Sequence, residues 1–123
     1  MAFQVDKNGN ISLVQGDSGQ LVIDGISTDK NYTVYFAVQD KNRKPVGDEI
    51  YVSSNNYASV VFYITGDFTD LLTVGKNENC AVYYYGIKIC DSESDLEDTL
   101  ILGENDIGSI NTITVYPKKV EGI

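Results

Sequence analysis

The chain has 123 residues, 18 acidic against 9 basic, and no histidine, which leaves room for one domain, residues 1–123. A net charge of -9 repels phosphate backbones and anionic surfaces, so neither a nucleic-acid partner nor membrane insertion is expected. Without histidine the chain lacks the best proton acceptor near neutral pH and the commonest transition-metal ligand, so it reads as non-enzymatic, with no catalytic residue, cofactor or metal. Thirteen Val, 12 Ile, 9 Tyr, 8 Thr and 4 Phe stand against 7 Leu and 4 Ala, a β-forming composition. The start "MAFQVDKNGN" has no basic segment leading into an apolar one, and no apolar run is long enough for a spanning helix, so a cytoplasmically made, soluble protein is expected.

Ile11 and Leu13, then Leu21 and Ile23, alternate with polar residues on either side of "QGDSGQ" (15–20), giving two short strands around a Gly-rich bend. Tyr32 to Gln39 follows as a strand apolar on both faces, Val34, Phe36 and Val38 against Tyr35 and Ala37, the pattern of a central strand. The loop 40–49 carries Pro45, Gly47 and three of the nine basic residues, Lys41, Arg43 and Lys44. Ile50 and Val52 form a short strand, "SSNN" (53–56) breaks it, and Tyr57 to Ile64 resumes with Val60, Phe62 and Ile64 on one face. Phe68, Leu71 and Leu72 at helical spacing after Thr65 or Asp67 predict a single helical turn across the end of the fold.

Cys80 to Cys90 is the longest expected strand, with Ala81, Tyr83, Tyr85, Ile87 and Ile89 inward and Val82, Tyr84, Gly86 and Lys88 outward. An extended run of that length holds the two cysteines roughly 33 Å apart, far beyond disulfide reach, so two free thiols are expected. An acidic loop (91–98), a brief strand Thr99 to Leu102, a last strand Ile110 to Tyr116 and a tail "KKVEGI" complete the chain.

Several motifs fail on chemistry. Gly16-Asp17-Ser18-Gly19 spells the sequence around a trypsin-type nucleophile, but without histidine Ser18 has no base. Asp91, Glu93 and Asp95 have the one-three-five spacing of a calcium loop, yet Leu96 and Leu102 stand where its glycine and last glutamate belong. Gly75-Lys76 lacks the glycine spacing and the hydroxyl residue of a phosphate loop. The sequons at Asn10 and Asn31 have no secretory context.

Together these elements predict an all-β fold, an immunoglobulin-like antiparallel β-sandwich of about 7–9 strands with one short helical turn and its core over about 10–117, with a small closed barrel as runner-up. Outward Val82 and Tyr84 are a candidate contact patch, and the tip Lys41, Arg43 and Lys44 a candidate dock for an acidic neighbour.

The segments "NISLVQGDSGQLVI" (10–23), "YTVYFAVQDKNRKPVG" (32–47), "ASVVFYITGDFTDLL" (58–72), "CAVYYYGIKICD" (80–91) and "INTITVYP" (110–117) resemble the small immunoglobulin-like domain of bacteriophage tail and baseplate proteins, including the N-terminal domain of baseplate upper proteins. Gln15 stands where that family has a basic residue, and Gly86 where it has an acid. The resemblance implies a virion structural protein of tail, baseplate or head surface, binding other virion proteins in several copies. A carbohydrate-binding module for host-surface adhesion is the alternative, weakened by the absence of Trp.

Overall fold

A computed structural model describes residues 3–94, 96–100 and 109–119. Among them, nine strands and one helical turn occur in the order β1 (Gln4–Val5), β2 (Ile11–Val14), β3 (Gly19–Ile23), β4 (Tyr32–Gln39), β5 (Ile50–Ser53), β6 (Val60–Ile64), α1 (Gly66–Thr69), β7 (Ala81–Asp91), β8 (Glu97–Leu100) and β9 (Asn111–Tyr116). The fold is all-β and sandwich-like, as the alternation demands. One large sheet runs β1-β2-β9-β7-β4-β5, and β3 pairs with β6 in a second, two-stranded sheet. Along one edge of β7 the first half holds β9 and the second half holds β8.

The core lies between the sheets. Val34, Phe36 and Val38 of β4, Tyr83, Tyr85 and Ile87 of β7, and Ile113 and Val115 of β9 pack against Leu21, Ile23, Val60, Phe62 and Ile64. Each set is every second residue of its strand, because successive side chains of a strand leave on opposite faces. Phe36 is wholly buried, with ring centroids 5.8 Å from Phe62, 6.4 Å from Phe68 and 5.2 Å from Tyr85.

Two polar clamps close the ends. Tyr83 donates its hydroxyl to the Thr73 carbonyl at 2.6 Å, the arrangement of the tyrosine corner that joins strands in immunoglobulin-like sandwiches. Thr69, wholly buried, accepts the Gly16 N–H at 3.1 Å and donates to the Asp17 carbonyl at 2.8 Å. The "GDSG" sequence is therefore a bend fastened to the helical turn, and Gly16 takes it at φ +89°, where side chains are strained. Thr65 caps α1 by accepting the Phe68 N–H.

Three expectations are corrected. Antiparallel pairing is not universal: β2 runs parallel to β9, because the bend carries the chain from β2 into the opposite sheet instead of back alongside it. The strand expected from Tyr57 begins at Val60, since Asn55 and Asn56 are left-handed and Tyr57 closes a turn onto Ser54. The helical turn stands where it was expected, and it leaves Leu72 buried and Leu71 exposed. The acidic stretch 91–98 is not all loop: Asp91 ends β7, and Glu97 and Asp98 begin β8, where an exposed ladder position satisfies the backbone and leaves the carboxylate in water. That shifts the strand expected at Thr99 to Leu102, whose last two residues lie outside the described residues. β1 was not foreseen; it pairs with β2, and the Phe3 ring lies against Gly19 where a Cβ would sit.

Removing the Tyr83 hydroxyl leaves the Thr73 carbonyl short of its donor. Y83F should cost about 1 kcal/mol and lower the thermal midpoint by about 4 °C in a domain of this size, read by circular dichroism. F36A, which empties the junction of three rings, should cost about 3–5 kcal/mol.

Candidate interaction site

Alternation that sends one set of side chains into the core sends the other set onto the outer face of the large sheet, and among the described residues no further layer covers that face. The cross-strand register places Tyr35 opposite Lys88, Ala37 opposite Gly86 and Gln39 opposite Tyr84. Tyr51 of β5 lies beside Tyr35, their ring centroids 5.8 Å apart. On the far side of β7, Val82 is opposite Thr114, and Val14 of β2 lies beside Tyr116.

The middle row is the low point. Ala37 and Gly86 floor a depression of about 670 Å³, bounded by Tyr35, Tyr84, Lys88 and Ile110. A Cβ built on Gly86 would meet no atom within 4 Å, and Gly86 does not need positive φ. Neither packing nor backbone conformation therefore calls for glycine there, although glycine inside a strand costs about 0.5–1 kcal/mol relative to alanine. Its absent side chain opens the trough.

The sequence-predicted contact residues converge on this face. Val82 is 43% exposed, and Tyr84 is half-buried and lines the trough. The basic hairpin follows directly from Gln39, the partner of Tyr84. Asp40 spends its carboxylate on the hairpin, accepting from Asn42 N at 2.8 Å and Lys44 N at 3.0 Å. Lys41, Arg43 and Lys44 are thereby left exposed, with no ion pair among the described residues. Arg43 also lines the trough; Lys41 and Lys44 stay at the hairpin tip. Sequence reasoning missed Tyr51, Tyr116 and the trough. The tyrosines carried a usable signal in their outward parity, whereas the trough exists only through pairing of Ala37 with a residue 49 positions away.

At the opposite end of the same strands the charges are acidic. Asp91 accepts the Glu93 N–H at 2.9 Å and pairs with Lys30 at 3.1 Å, and these contacts hold its carboxyl below the ordinary range, the Glu93 amide most strongly. Asp91 thus serves the turn that joins β7 to β8; Asp95, the third acid of the calcium-like spacing, lies outside the described residues. Nearer the trough, Lys88 pairs with Glu97 at 3.2 Å. Cys80 and Cys90 are free thiols, and burial, reinforced by Glu97, pushes the Cys90 thiol up. Burial raises the Tyr85 phenol, whose hydroxyl donates to the Gly9 carbonyl. Among the described residues no helix is long and apolar enough to cross a membrane.

No protein-family model matches this sequence, and no curated protein does. Among solved structures, the E. coli chaperone DraB is similar in fold, with a TM-score of 0.50 and 13% identity over 86% of this chain. The matched part is 50% of the DraB chain, so this chain spans half of that protein. At such identity the likeness concerns the architecture alone.

The Asp91 contacts generate a pH test. A carboxyl whose folded pKa lies below its ordinary 3.8 stabilises the fold at neutral pH and loses that contribution as pH falls through the folded value. D91N should lower stability at pH 7 and flatten the loss of stability below about pH 4, followed by urea unfolding across pH. Parallel profiles for D91N and the wild type would remove Asp91 as the responsible group.

Proposed function

We propose that this chain is a non-enzymatic structural component of a bacteriophage particle, on its tail, baseplate or head surface, that works by binding other virion proteins in several copies. The observation that carries the reading is the outer face of the large sheet, which no layer of the described residues covers. There Val82, Ile110 and Tyr116 are each more than two-fifths exposed, and Tyr84 joins them beside an unpaired basic hairpin. Aromatic and aliphatic side chains next to unpaired cations are the composition of interface centres, where Tyr and Arg are enriched. Support also comes from the family resemblance of the segments over 10–117. The net charge of -9 suits the role, because like-charged free copies repel one another before assembly.

Mass spectrometry of purified particles is expected to find the chain at a fixed, multiple copy number. Replacing the gene by the V82D/Y116D variant, with its fold checked by circular dichroism, is expected to deplete the chain from particles at least tenfold. Particles that lack the wild-type chain would end the structural reading. Undiminished incorporation of the variant would move the contact to another face.

A further inference from the structure

We infer that the trough on the outer face of the large sheet is a binding site for a neutral oligosaccharide, an activity separate from any role in assembly. The trough combines three features. Its floor, Ala37 and Gly86, lacks side-chain bulk where neither packing nor backbone conformation calls for it, and close approach of a ligand to the backbone is one of the uses of a glycine inside a strand. Its ends are tyrosines, Tyr35 in one row and Tyr84 in the row two pairs along β4 and β7. Those rows stand roughly 13 Å apart at the rise of a strand, a length that takes a short oligosaccharide better than a single ring. Tyrosine offers a flat apolar face for the C–H surface of a sugar and a hydroxyl for its polar edge.

The polar groups around the floor favour a sugar over an extended peptide. β4 and β7 are paired with each other along the floor, so a peptide laid across it does not meet an open strand edge of the kind that takes up an added strand. What remains is side-chain chemistry. The Gln39 amide, the Tyr35 and Tyr84 hydroxyls and the Thr99 hydroxyl face the trough without a hydrogen-bond partner among the described residues. These are uncharged donors and acceptors suited to hydroxyl groups.

Charge selects a neutral ligand. Among the described residues, two cations, Arg43 and Lys88, and two carboxylates, Glu49 and Glu97, line the trough, and Lys88 is already paired with Glu97. The described lining offers no excess positive charge to a sialylated or sulfated chain, and the net charge of -9 repels one.

The test is a printed array of neutral, sialylated and sulfated glycans, probed with the labelled full chain and with G86Y and Y84A. A side chain at Gly86 enters open space, so G86Y should keep the wild-type circular dichroism spectrum and thermal midpoint while filling the trough. Binding to neutral glycans is expected, abolished in G86Y and weakened at least tenfold in Y84A. Amide resonances of Ala37, Gly86 and Tyr84 should move when the best neutral glycan is titrated into labelled protein. The inference is overturned if no neutral glycan binds above the G86Y background, if binding is confined to anionic glycans, if folded G86Y binds as well as wild type, or if a neutral peptide library displaces the glycan and binds more tightly. Absence of the chain from phage particles would leave these outcomes unchanged, so the two readings fail separately.

Discussion

Phe36 is the point at which the fold is joined. Its ring touches Tyr85 from its own sheet, Phe62 from the opposite sheet and Phe68 from the helical turn, so the three parts that close the sandwich share one buried side chain. Tilted ring pairs at these distances add to the gain from burial. The clamp at Thr69 ties the Gly16 bend to the helical turn that carries Phe68, and the clamp at Tyr83 ties the chain after that turn to β7. A two-stranded second sheet covers little area, so without these fastenings it would have only its inward half to hold it in place.

The same parity that assigns Phe36 to the core assigns Tyr35 and Ala37 to the surface. Tyr83, Tyr84 and Tyr85 are split likewise, the outer pair buried and the middle one turned to the trough. Core and candidate site are therefore two readings of the same strands, and a one-residue slip of β7 against β4 would exchange them. The buried hydroxyls of Tyr83 and Tyr85, each satisfied by a backbone carbonyl, help to specify the register, because a slipped strand would carry both away from those carbonyls and turn the Lys88 charge inward.

Strands with strong alternation were legible in the sequence to within one residue. β4 occupies Tyr32 to Gln39 as read, and β7 departs from the reading by one residue at each end. Elements defined by partners were not. β1 has two exposed residues and exists because β2 offers an edge, and the parallel pairing of β2 with β9 depends on where the chain changes sheets, which no local period records. Glu97 and Asp98 looked like loop because acidic residues are depleted in strands; the free edge of β7 overrides that preference. For the candidate site, Val82 and Tyr84 followed from alternation and the hairpin from its charges, whereas the trough required knowing that Ala37 faces Gly86.

Strand direction also sorts charge. β4 and β7 carry an acidic turn at one end, with Asp91 and Glu93, and the Lys41, Arg43 and Lys44 hairpin at the other. A charge distribution of this kind is an electric dipole along the strands superimposed on a net negative monopole. In the field of an acidic surface the monopole is repelled while the dipole exerts a torque that brings the hairpin forward. Approach is then slow but end-on, and at the salt of a cell, where fields decay over about 8 Å, only copies already close to the surface are turned.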